Sequence, residues 1–169
     1  QLPALKKDPI HVKSAALTVD IDVPGKRYAI QELNWKGDTL RGSIKGGGDF
    51  AFAPDGALAK LTADWTAENV FIDAPIVFDG GGLALEKASF RGTFDAAAEH
   101  LTIDEILAHR GAFQLTLAGD LQDNKVSTGV VLNGGFKDLS VADLKRLWPQ
   151  GAAPGAREWV MANAHECLI

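Results

Sequence analysis

Cysteine is almost missing: Cys167 is the only one in 169 residues, so no intrachain disulfide is possible. Such usage suits the cytosol and equally a cysteine-poor bacterial periplasmic protein. Long apolar runs are missing too. None approaches the roughly 18 residues that a membrane-spanning helix needs, and no leader-type segment is present. Positive charge is in deficit, with 17 Lys and Arg against 22 Asp and Glu and a net charge of -5. The cations are scattered, and Lys6-Lys7, Lys26-Arg27 and Lys145-Arg146 are only pairs. No basic stripe exists to neutralise phosphates along a nucleic acid, so nucleic acid is excluded as a partner. The chain starts at Gln1 and ends on "ECLI". The expectation is a single segment, residues 1–169, of a longer protein.

Catalytic constellations are missing as well. His11, His100, His109 and His165 are far apart, and none has the His-x-x-x-His spacing of a helical zinc site. His165 and Cys167 lack a second ligand pair. Asp20 and Asp22 form Asp-x-Asp, which at strand spacing places both on a wet face, where solvation explains them. Asp104 and Glu105 are adjacent, and on a regular strand adjacent carboxylates point to opposite faces. "KGGGD", Lys45 to Asp49, lacks the ending and following helix of a phosphate loop and reads as a turn. No Gly-x-Ser-x-Gly elbow occurs. The reading is no enzyme, no metal and no cofactor.

What is present is a period of two. In "ALTVDIDV", Leu17, Val19, Ile21 and Val23 are apolar while Thr18, Asp20 and Asp22 are polar. "FQLTLAGDL" repeats this with Phe113, Leu115 and Leu117 against Gln114 and Thr116. "LRGSIKG" sets Leu40 and Ile44 against Arg41, Ser43 and Lys45, and "LTADW" continues with Leu61, Ala63 and Trp65. Strict alternation means one dry face and one wet face. Two segments change phase: Tyr28 and Ile30 give way to Leu33 and Trp35, and Leu83 and Leu85 to Phe90 and Phe94. A phase change marks a bulge, which bends a sheet. Hairpin punctuation stands at Pro24, Lys36, Pro54, Asp79, Gln122 and Asn133, and "DAAAEH", 95–100, reads as a further hairpin loop. The fold expected is mainly β, a curved antiparallel sheet or groove formed by amphipathic strands over residues 1–139.

Residues 140–164 break this pattern with two short helices. Ser140 is an N-cap candidate with Asp143 at the capping-box position. Val141, Leu144, Leu147 and Trp148 share one helix face, and Pro149 stops the helix. After the linker "PQGAAPG", Pro154 suits the first turn of a second helix whose apolar face is Ala156, Trp159, Val160 and Ala164, with Asn163 at its edge.

The stretch "DLKRLWPQGAAPGAREWVMANAHECLI" resembles a motif of the AsmA-like superfamily, in the central region of its YhdP-type members. The pattern there is a Leu, then Leu-Trp-Pro, a Pro/Ala/Gly linker, Ala-Arg-x-Trp and an Asn. It is matched at Leu144, Leu147, Trp148, Pro149, Pro154, Ala156, Arg157, Trp159 and Asn163. The Gly expected after it is absent, and Cys167 sits near its place. The motif covers about 25 residues, and the rest agrees only in style. The resemblance implies a Gram-negative periplasmic protein whose parent is anchored in the inner membrane. It implies a curved β-groove that moves phospholipid between inner and outer membranes in outer-membrane biogenesis. No catalytic residue is implied.

The one-sided strands agree with that shape. A dry face must be buried, and the helices are too few and short to cover it. Either the sheet closes on itself as a structural or adhesion-type β module with a sealed core, or its dry face holds something apolar. Leu17, Val19, Ile21, Leu40, Ile44, Phe113, Leu115 and Leu117 are the expected lipid-facing residues, meeting the acyl chains of a phospholipid. Leu144, Leu147, Trp148 and Trp159 are expected to form a helical lid, with the two tryptophans anchoring their helices on the sheet.

Overall fold

The computed structural model describes residues 12–73, 82–123, 128–148 and 154–165. Eight strands form one antiparallel sheet in chain order: β1 (Val12–Asp22), β2 (Arg27–Gly37), β3 (Leu40–Phe52), β4 (Leu58–Ile72), β5 (Leu83–Asp95), β6 (His100–Arg110), β7 (Phe113–Asp123) and β8 (Thr128–Lys137). Two helices follow, α1 (Val141–Leu147) and α2 (Pro154–Asn163). The sheet is open, with β1 and β8 each paired on one side only, so the described strands form neither barrel nor sandwich.

The alternation read from the sequence sets the register. Leu17 pairs with Leu33, then Ile44, Ala67, Ala88, Ala108, Leu115 and Phe136, one transverse row across all eight strands. The next row runs through Val19, Ile30, Gly46, Trp65, Phe90, Ile106, Leu117 and Gly134. Directly opposed residues share a face, so Leu17, Val19, Ile21, Leu115 and Leu117 do lie on one apolar face. In the first row, alanine occupies β4, β5 and β6 while larger side chains occupy the flanks. Small residues mid-row let those flanking side chains close over them, and Ala108 is only 5% exposed. The buried hydrophobic residues, Ala63, Val70, Leu85, Ile103, Ala108 and Phe113, all belong to the central strands β4 to β7.

The first phase change is a bulge, as expected: the register shifts between Ile30 and Leu33. The second brings no register shift against β4: Leu85 pairs with Val70 and Ala88 with Ala67, three residues apart on each strand, so the two strands change phase together. Further irregularities escaped the reading, among them one at Asn69, with φ of 52°, and one between Ile103 and Ile106. These four phase changes each carry two adjacent polar residues between apolar ones: Gln31-Glu32, Glu68-Asn69, Glu86-Lys87 and Asp104-Glu105. Asp104 and Glu105 therefore do not alternate between faces. Both fall within the bulge, where two residues oppose one partner.

The turns at Pro24, Lys36 and Pro54 and the 95–100 loop join strands as read. Asn133 does not mark a turn but lies inside β8, opposite Ala118. "KGGGD" is likewise strand, within β3. The turn at Asp79 falls outside the described residues, as does most of the one at Gln122. The β6–β7 hairpin was missed; it turns at Gly111, whose φ of 55° suits glycine.

Ser140 caps α1, its Oγ accepting from the Asp143 N–H at 3.0 Å. Asp143 does not reciprocate to the backbone as in a full capping box; its carboxylate accepts from Ser140 Oγ at 2.9 Å. It also pairs with Arg110 at the end of β6, fastening α1 to the sheet's rim. Both partners are about a quarter exposed or less. Arg110→Met is expected to cost about 1 kcal/mol and to release mainly α1. Amide hydrogen exchange should speed up over Val141–Leu147 with little change in β3 to β6.

Candidate functional site

The apolar face is the candidate. Its exposed large hydrophobics concentrate on the edge strands: Leu17, Val19 and Ile21 on β1, and Val130, Leu132 and Phe136 on β8. Leu17 is 59% exposed and Phe136 60%. Of the expected lipid-facing residues, Leu40, Ile44, Leu115 and Leu117 are half-buried and Phe113 is buried. Leu40 joins the face opposite Ile72, and Phe113 ends it opposite Arg110. Among the described residues, nothing covers this contiguous apolar surface.

The helices do not cover it. They make no extended contact with the strands; α1 packs against α2, and α2 buries none of its described residues. Trp159 is 64% exposed and anchors nothing on the sheet. Leu144 and Trp148 are half-buried, with the Trp148 N–H closing α1 on the Leu144 carbonyl. The side chain of Leu147 lies outside the described residues, as do Pro149 and Cys167. The lid expected of these four residues is thus not formed here. The reason is length: a helix of 7 residues cannot reach across eight strands spaced about 4.8 Å apart.

The face is kept apolar by a device that sequence reading missed. Tyr28 and Trp65 carry its polar side-chain atoms at one end, and these bond to each other. The Trp65 Nε1–H donates to the Tyr28 hydroxyl at 3.1 Å, and that hydroxyl donates to the Thr62 carbonyl at 2.9 Å. Tyr28 reaches β4 from β2 by crossing β3 where Gly46 and Gly48 stand. No side chain lies in the way, and the backbones come so close that none could. A Cβ at Gly48 would lie 2.0 Å from the Thr62 carbonyl oxygen, and one at Gly46 2.2 Å from that of Asp64. The glycines of "KGGGD" are thus close-approach glycines, and alternation alone does not distinguish those from turn glycines. Beside this bridge, Val19, Ile21, Phe50 and Leu61 join Tyr28 and Trp65 around an open hollow of about 280 Å³. The Trp65 and Phe90 rings continue it, 5.6 Å apart.

Burial pushes the Tyr28 hydroxyl's pKa up, partly offset by its bond to Trp65, with the Asp49 charge raising it further. Tyr28 is the only tyrosine, so ultraviolet absorbance reads it alone. Its ionisation midpoint should lie above that of free tyrosine and fall back on denaturation. A raised folded-state pKa means that this contribution to stability is complete below the unfolded pKa. It is lost as pH rises through the folded one. Tyr28→Phe should remove that alkaline loss and cost about 1–2 kcal/mol at neutral pH, because the indole N–H loses its acceptor. A midpoint at the free-tyrosine value would contradict the burial of this hydroxyl.

The wet face carries ordinary surface chemistry. Asp20 accepts from Gln31 at 2.7 Å, and Arg91 lies 3.6 Å from Glu105. His100 lies 3.0 Å from Asp120, which also accepts from Thr102. Among the described residues no three His, Cys, Asp or Glu side chains gather as a metal site. No described helix is long and apolar enough to cross a membrane. No family model, curated protein or solved structure matches the chain.

Proposed function

We propose that the apolar face of the sheet accommodates the acyl chains of phospholipid, as a segment of a periplasmic lipid-transfer protein that serves outer-membrane biogenesis. The observation that carries this is the pair of unbroken apolar rows across eight strands, left open, with the Tyr28 and Trp65 polar atoms bonded inward. Each methylene laid on such a face gains up to about 0.8 kcal/mol, which binds a chain without any specific polar contact. A surface of this kind selects for hydrocarbon and not for a headgroup. The AsmA-like motif at residues 144–163 supports the same reading, with phospholipid as the cargo and a parent protein held in the inner membrane. On this reading the protein is not an enzyme and needs no cofactor.

Native mass spectrometry of the chain purified from bacterial membranes, followed by lipid extraction, tests this. Co-purifying phospholipid is the expected result. Protein that stays lipid-free, even after incubation with phospholipid vesicles, would remove the proposal.

A further inference from the structure

We propose a second binding site, for a phosphate-type oxyanion, at the β2–β3 end of the sheet. It does not depend on what occupies the apolar face. An open hollow of about 810 Å³ lies where β1 to β4 meet there. Its lining includes Lys36 and Arg41 together with Ser14, Asn34 and Asn69, and no acidic residue.

Lys36 and Arg41 are Cα partners across β2 and β3. Two like charges set directly opposite each other destabilise a sheet. Here nothing offsets them. Of the nearby acids, Asp38 is held by Lys13 at 2.5 Å, and Glu68 forms an ion pair with neither cation. Neither Lys36 nor Arg41 has an ion-pair partner among the described residues. Arg41 is instead stacked on Phe71, its guanidinium carbon 4.1 Å from the ring centroid. Stacking restricts the guanidinium without consuming its charge.

The neutral groups add donors. The side chains of Ser14, Asn34 and Asn69 make no hydrogen bond among the described residues. A repelling cation pair with unused donors around it is relieved by an anion that accepts from several directions. A tetrahedral oxyanion does this, taking the planar fork of Arg41 and the point charge of Lys36 together. A carboxylate has too few oxygens to engage both and the neutral donors. In a chain of net charge -5, this is a local reversal of sign. The phosphate could be soluble or part of a lipid headgroup, and the chemistry of the site is the same for both.

The test titrates the whole chain with inorganic phosphate, with acetate at equal ionic strength, and with vesicles of phosphatidylglycerol or phosphatidylcholine. Binding is followed by thermal melting and vesicle co-sedimentation. The variants are Lys36→Gln and Arg41→Gln, with Lys137→Gln on β8 as a control that removes the same charge. Saturable stabilisation by phosphate but not acetate is expected, weakened about tenfold or more by either hollow variant and unchanged in the control. Without phosphate, Lys36→Gln should melt no lower than the unsubstituted chain, since it removes the repulsion and leaves the Arg41 stack on Phe71 in place. Saturation by inorganic phosphate would assign the site to soluble phosphates. Saturation by vesicles alone, sensitive to the same two variants, would assign it to headgroups. Equal loss in the Lys137→Gln control would reduce binding to diffuse surface charge and overturn the proposal. So would the absence of saturable binding to every probe.

Discussion

Leu17→Asp is expected to leave the sheet folded and to strip it of bound phospholipid. Leu17 is 59% exposed on edge strand β1, so the introduced carboxylate keeps its water and should cost at most about 1 kcal/mol. An acyl chain laid along the face would have to desolvate that charge, an expense far larger than the gain from a few methylenes. Leu115 lies in the same transverse row but packs against Val70, Leu85 and Ala108. Leu115→Asp should therefore cost about 3 kcal/mol and lose lipid as well. The same chemistry at two positions of one row thus separates binding from folding. Thr116→Lys, on the wet face of β7, should be nearly silent in both respects. Circular dichroism melting reads stability. Lipid content by native mass spectrometry reads function. A folded Leu17→Asp chain that carries as much lipid as the unsubstituted chain would sink the conduit reading.

The largest loss of stability is expected from Gly46→Ala and Gly48→Ala, about 3 kcal/mol each. An added Cβ would collide with backbone carbonyls of β4, which cannot rotate aside as a side chain can. Gly46 also has a φ of 141°, which L side chains rarely adopt. β3 and β4 would have to separate, and the Tyr28 hydroxyl would lose the Thr62 carbonyl. The ultraviolet titration of Tyr28 should then move back toward the ordinary tyrosine value. Gly135→Ala, with nothing within 4 Å of its added Cβ, should change stability by no more than about 0.5 kcal/mol. Equal effects at the three positions would show that glycine's backbone freedom matters here, not close approach.

The sequence by itself determined that this chain makes amphipathic strands, where two of them change phase, and which residues share the dry face. A period of two has only one geometric meaning on a strand, and a doubled polar pair between apolar residues breaks it in only one way. It likewise determined α1 and α2, because Ser140 and Pro154 are local start signals that need no distant partner. Only the tertiary structure decided whether the dry face is sealed, because closure depends on whether β1 meets β8, a contact between the far ends of the meander. It decided that the helices stand at the rim and not over the face, which Trp148 and Trp159 alone suggested otherwise. It turned "KGGGD" from a turn into a strand, since the need for glycine there comes from carbonyls on a neighbouring strand. It also brought Lys36 and Arg41 face to face. Local pattern fixes what a residue's own strand does, whereas pairing across strands fixes what that residue meets.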